Sequence, residues 1–198
     1  RLRARLGLQV KRMLAGRLRR AKILENTLIE HRIFHQPNLN LDGIPKIRNA
    51  VRAVIINKDI ITLAYLEKTD EYKFPGGGIK PGESHEDALK REVAEEIGAT
   101  IKQIKEKIAI VQEFDKFIDE PEDYFTMISH YYLVDIEEKL GNQDLDKYEK
   151  ELGFRAVEVK IKDAITVNQR NIESKNSRAT KWIKRETYIL KKLDEIYN

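Results

Sequence analysis

Apolar residues recur at helical spacing through residues 1–30, at Leu2, Leu6, Val10, Met13, Leu14, Leu18, Ala21, Leu24 and Leu28, with arginines and lysines filling much of the rest. The spacing predicts a basic amphipathic helix. Turn-forming residues follow over 35–48, in His35-Gln-Pro-Asn38 and Asp42-Gly43-Ile-Pro45, and mark a linker. From Ala50 to Leu66 the chain is apolar and β-branched, broken at Asn57-Lys58-Asp59, which predicts two strands joined by a hairpin turn. The glycine-rich stretch Phe74-Pro75-Gly76-Gly77-Gly78 precedes a helix expected over Ser84 to Ile97. Further strands are expected at Ile101–Val111 and Phe125–Ile136, then a polar loop over 137–151 and a short strand at Phe154–Ile161. A last helix is expected over 178–197, with Trp182, Ile189, Leu193 and Ile196 as its apolar stripe. Strands, helix, strands and helix in that order predict an α+β fold, a mixed sheet with helices on its faces. Residues 1–45 read as a basic helical arm and linker, and 46–198 as the folded domain.

Composition narrows the chemistry. The chain has 198 residues, 41% hydrophobic and 35% charged, in the range of a globular protein. No run reaches the roughly 18 uncharged apolar residues of a membrane-spanning helix, so no membrane partner is expected. Without cysteine, thiolate metal sites, disulfides and cysteine nucleophiles are excluded. That absence also fits a reducing, cytoplasmic setting. The net charge of +4 is uneven: residues 1–24 hold nine basic side chains and no acidic one, leaving −5 for the remainder. Carboxylates must therefore carry most of the chemistry. His31 and His35 lie four apart, which on a helix would permit a metal site, but no third ligand accompanies them and a structural role is expected.

The informative segment runs from Gly76 to Ala99. Ser84 is placed as an N-cap, with Asp87 three residues on and Gly98 just past the helix end. Leu89, Val93 and Ile97 step by four and should face the sheet. Glu92, Glu95 and Glu96 share the adjoining face, where like charges repel by a few tenths of a kcal/mol per close pair, about 0.2–0.5. A hard divalent cation held by oxygen ligands removes that repulsion. Glu95-Glu96 alone would ordinarily be a solvated acidic face. What alters the balance is their place beside the apolar stripe and the glycine loop leading into the helix, whose backbone can approach phosphates. Two other phosphate loops are excluded: Gly77-x4-Gly82 is followed by Glu83 rather than Lys, and Gly76-x-Gly78 has Pro81 where a dinucleotide fingerprint needs its third glycine.

The segment resembles the Nudix box, G-x5-E-x7-R-E-U-x-E-E-x-G-U with U a bulky aliphatic residue. Gly77, Glu83, Arg91-Glu92-Val93, Glu95-Glu96 and Gly98 match, and only Ala99 departs, being small at the final aliphatic position. The wider resemblance covers about residues 48–165. It implies a three-layer α/β/α sandwich and a Nudix-like catalytic domain over 46–198. It further implies a hydrolase using Mg²⁺, or Mn²⁺, to cleave a nucleoside diphosphate linked to another moiety, such as a (d)NTP. By the same resemblance Glu92, Glu95 and Glu96 with the carbonyl of Gly76 would hold metal, and Gly76, Gly77 and Gly78 would form the phosphate loop. Arg91 would pair with Glu83. The base would be Glu92 or a residue of a later loop, here Glu149 or Glu151.

Substrate choice is not set by the box. Phe114-Asp115, Lys116-Phe117 and Ala64-Tyr-Leu-Glu-Lys-Thr69 lack the marks of relatives acting on ADP-ribose, dinucleoside polyphosphates and coenzyme A. Tyr65, Tyr72, Phe114 and Tyr124 could stack a base, although aromatic residues near strands more often build a core. The basic arm leaves several readings open: docking on the body or in a homodimer, a contact with nucleic acid through residues 1–24, a targeting peptide, or processing at the N-terminus. Alternatives to the hydrolase are a nucleotide-sensing or RNA-binding module and an RNA 5′-end pyrophosphohydrolase.

Overall fold

The computed structural model describes residues 28–116 and 123–197. The helix expected over 1–30 therefore lies almost wholly outside the described residues. Its last positions do not continue as helix: strand β1 spans Ile29–Phe34 and pairs in parallel with β5, Ile101–Lys116. His31 and His35 are consequently not on a helix. The His31 ring stacks on Tyr188 at 3.7 Å, and His35 Nε2 lies 3.0 Å from Glu113 Oε1, so both are used structurally.

The remaining strands are β2 (Pro45–Asn57), β3 (Ile60–Leu66), β4 (Glu71–Lys73), β6 (Tyr124–Ile136) and β7 (Phe154–Lys160). The sheet order is β1-β5-β6-β2-β3-β4, with β7 pairing β3. The β1–β5 and β2–β6 pairs are parallel and the others antiparallel, which makes the sheet mixed, as expected. The 13-residue β2 pairs β6 through Val54 and β3 from Ile55, so one strand joins both parts of the sheet.

Alternation along β2 and β3 sends apolar residues to both faces. Val51, Ala53, Ile55, Ala64 and Leu66 pack against Leu89, Val93 and Ile97 of helix α1, His85–Ile97. Val54, Ile61 and Leu63 pack with Tyr131 against helices α3 (Ile161–Glu173) and α4 (Ile183–Tyr197), through Ile161, Ala164, Ile189, Leu190 and Leu193. These are the three expected layers. Among the described residues no helix is long and apolar enough to cross a membrane.

Two helices escaped the sequence reading. The short α2, Lys147–Leu152, stands inside the expected polar loop and has no buried residue. Helix α3 was hidden because its packed face carries Asn168 and Asn171, both buried, where a hydrophobic stripe was sought. Asn168 acts as a strand partner: its amide donates to the Tyr72 carbonyl at 2.9 Å and its Oδ1 accepts from Tyr72 N–H at 2.8 Å. This anchors the three-residue β4, which leads directly into the glycine loop. Replacing Asn168 by Ala leaves both backbone groups of Tyr72 unpaired, and should cost at least about 1–3 kcal/mol, read as a lower midpoint in urea unfolding.

Candidate active site

The local sequence fixes the geometry of α1. Ser84 Oγ accepts from Asp87 N–H at 3.1 Å, and Gly98 ends the helix in the left-handed region at φ 67°. Loop 137–146 covers that end, with Gly141 N–H on the Gly98 carbonyl at 2.6 Å and Asp144 N–H on the Glu95 carbonyl at 2.9 Å. These bonds satisfy carbonyls that a helix C-terminus leaves open.

The glycine loop lies along β2. Ala53 N–H donates to the Pro75 carbonyl at 2.8 Å, Val51 N–H to Gly77 at 3.0 Å, and Ile79 N–H to Asn49 at 3.0 Å. Gly76 has φ 139°, and a side chain there would strike the Val51 carbonyl, so only glycine fits. A Cβ on Gly77 would collide with the Glu92 carboxylate, which shows how closely the loop approaches the helix.

Arg91 is the clamp between loop and helix. Its Nε and Nη2 hold the two Glu83 oxygens at 2.7 and 2.9 Å, Nη1 reaches Glu92 at 2.7 Å and Glu95 at 3.1 Å, and Nη2 also donates to the Gly78 carbonyl at 3.1 Å. Glu96 is fully buried, paired with Lys73 and accepting the Gly76 N–H at 2.8 Å. Burial pushes its carboxyl upward, while Lys73 draws it down. The Gly76 carbonyl accepts from Arg52, which is buried on β2.

These groups border a cavity of about 310 Å³ lined by Gly76, Gly77, Gly78, Glu92 and Glu96 together with Arg48, Arg52 and Lys73. Asp146, Tyr148 and Glu149 of the α2 region, with Met127, Phe154 and Trp182, complete the wall. Of the box carboxylates, Glu95 is not on the wall and is more exposed, at 38% of its side chain. Among the described residues no three carboxylate or histidine side chains converge as a bare metal site. Of the two loop candidates Glu149 lines the cavity, whereas Glu151 is exposed and does not. Glu149 is held by the capping box with Asp146, and burial raises its carboxyl above the usual range.

The sequence reading missed Arg48, Arg52 and Lys73. The only available mark was the i, i+4 spacing of Arg48 and Arg52, which puts both on one face of a strand. Trp182, expected in the apolar stripe of the last helix, precedes α4 and belongs to the cavity instead. None of Tyr65, Tyr72, Phe114 and Tyr124 lines it: Tyr65 packs on Tyr72 at 5.1 Å, and Phe114 stacks on Phe34 at 4.8 Å.

The Glu83 carboxyl is pulled down to about 2, first by its hydrogen bonds from Arg91 and then by Lys80 N–H. A depressed carboxyl stabilises the fold above its unfolded value of about 4.3 and loses that contribution as pH falls toward the folded value. A carboxyl-carbon NMR titration should place the Glu83 midpoint well below 4, and Glu83→Gln should remove part of the loss of stability between pH 4 and 2.

A sequence profile of the NUDIX domain matches residues 46–183. Among solved structures, the E. coli ORF135 protein is 23% identical over 62% of this chain and 79% of its own, with a TM-score of 0.44. A NUDIX hydrolase from Nitrosomonas europaea is 22% identical over 63% and 79%, with a TM-score of 0.46. A MutT structure from work on Aliivibrio salmonicida and Vibrio cholerae is 25% identical over 60% and 83%, with a TM-score of 0.39. A comparison with curated proteins returns no match. The profile match covers more than half of the chain and every residue of the glycine loop, box helix and cavity wall, so the chain belongs to the NUDIX family and is a hydrolase acting on phosphoric anhydride bonds.

Proposed function

We propose that the protein is a Mg²⁺-dependent pyrophosphohydrolase that splits a nucleoside diphosphate linked to another moiety, such as a (d)NTP. The observation that carries this reading is the mixed charge of one cavity lining, in which Glu92, Glu96 and the Gly76 carbonyl stand beside Arg52 and Lys73. The oxygen groups suit a cation and the basic ones an anion, as a metal–diphosphate requires.

The donors fit the ion. They are all hard oxygens, as Mg²⁺ or Mn²⁺ prefers, and the missing side chain of Gly77 leaves the Glu92 carboxylate its place beside the loop. Glu92 and Glu96 would be the principal ligands, with the Gly76 carbonyl, and Glu95 would be auxiliary. Lys73, paired with Glu96, and Arg52, which donates to the Gly76 carbonyl, stand beside these groups and would be the cations that meet the phosphate oxygens. The bound ion supplies charge neutralisation on the phosphates and a water of lowered pKa. Glu149, on the cavity wall with its carboxyl raised by burial, accepts the proton of the attacking water, since a base works best when its pKa approaches the working pH. Arg91 holds Glu83, Glu92 and the loop in register and touches no substrate. Readings that depend on residues 1–24 (nucleic-acid binding, action on RNA 5′ ends, dimerisation through the arm) concern a segment outside the described residues.

The test is a panel of nucleoside di- and triphosphates and nucleoside diphosphate conjugates incubated with the full chain and Mg²⁺, followed by released phosphate and pyrophosphate. At least one should be cleaved, and Glu92→Gln and Glu96→Gln should each lower turnover by more than about 100-fold. No cleavage across the panel would overturn the reading. Glu149→Gln should lower kcat by roughly 100- to 10,000-fold and remove the acid limb of the kcat–pH profile.

A further inference from the structure

Among the residues of the cavity wall to which the proposed chemistry gives no task are Arg48, Met127 and Trp182. Arg48 on β2 and Met127 on β6 are direct register partners across the parallel pair, and Trp182 completes the group from the turn before α4. The Arg48 guanidinium lies over Gly78, where an added Cβ would be 2.8 Å from Nη2, and no carboxylate pairs with it among the described residues. Met127 is fixed from behind, its sulfur 3.4 Å from Arg185 Nη1.

Trp182 stands outside both apolar clusters that hold the helices to the sheet. Its Nε1 is buried with no hydrogen-bond partner. An indole N–H in that state is destabilising by about 1–3 kcal/mol, and a small turn of the ring toward a ligand acceptor would relieve it. A flat indole, a polarizable thioether and an unpaired guanidinium on one wall together match a planar heterocycle that carries acceptors and adjoins phosphate. The cavity volume of about 310 Å³ is at the lower end of ligand pockets, roughly 300–1,000 Å³, which suits one base and its phosphates better than two nucleosides.

We infer that Trp182, with Met127 and Arg48, forms the nucleobase subsite, so that the substrate is a mononucleotide derivative recognised through its base. The inference rests on the placing of the phosphates over Glu92 and Glu96 given above.

Trp182 is the one tryptophan of the sequence, so its fluorescence reports on this wall alone. The full chain is titrated with ADP, GDP, CDP and UDP, and in parallel with inorganic pyrophosphate and ribose 5-phosphate, each with and without Mg²⁺. At least one nucleotide should quench the emission saturably, and the two base-free probes should not. Trp182→Ala should weaken binding of that nucleotide by roughly 5- to 150-fold, the worth of one base–aromatic stack, with the loss larger in KM than in kcat. Trp182→Phe, which keeps an aromatic face, should recover most of it. Quenching by pyrophosphate equal to that by nucleotides, no quenching by any nucleotide, or nucleotide affinity indifferent to Trp182→Ala would each overturn the subsite. Saturable nucleotide quenching without hydrolysis would sustain the subsite and refute the hydrolase reading; hydrolysis with a KM indifferent to Trp182→Ala would do the reverse.

Discussion

Glu96 is almost wholly buried, and the architecture around it follows from that burial. An ionised carboxylate removed from solvent needs a counter-charge and hydrogen bonds, and taking away one partner of a buried pair costs about 3–5 kcal/mol. Lys73 supplies the charge from the end of β4, and the Gly76 N–H supplies the hydrogen bond from the loop. One side chain on α1 thereby fixes the strand and the loop that face it. The same carboxylate is a proposed metal ligand, so the group that organises the site is also one of those that would act in it. Lys73 and Arg52 hold the charge balance around it.

A second buried network stands behind the first. Arg185 and Glu186 on α4 are wholly enclosed; Arg185 pairs with Glu186 and with Glu113 of β5, and Glu113 in turn meets His35 at 3.0 Å. Burial alone would raise the Glu113 carboxyl, and His35 and Arg185 more than offset it. Glu186 also accepts the Phe74 N–H at 3.0 Å, just before the glycine loop. In this region the buried cations Arg52, Lys73 and Arg185 stand among buried carboxylates that include Glu92, Glu96, Glu113 and Glu186. The C-terminal helix is therefore tied to the loop by charge as well as by its apolar face.

The sequence revealed what is local and periodic. Ser84 and Gly98 bound α1 where capping chemistry requires them, and Leu89, Val93 and Ile97 meet the sheet as a four-residue step demands. It concealed whatever depends on distant partners. Asn168 looks like a polar interruption because its value lies in the backbone of Tyr72, 96 residues away. Residues 29 and 30 looked like the end of a helix because their strand character comes from pairing with β5. Arg48, Arg52 and Lys73 looked like ordinary surface charges, since only the fold brings them across from α1.

This division between local and distant residues also separates chemistry from selectivity. The box segment carries the carboxylates and the loop in one continuous stretch, so its geometry can be kept whatever surrounds it. The rest of the cavity wall comes from six separate places: β2, β4, β6, the α2 region, the start of β7 and the turn before α4. A change at Met127 or Trp182 alters this wall without touching the Arg91–Glu92 and Lys73–Glu96 pairs. Recognition of the substrate's remaining part would then come from residues that no box pattern contains, and Trp182, whose carbonyl accepts the Glu186 N–H at 3.1 Å at the start of the charge-anchored α4, is the residue proposed for it.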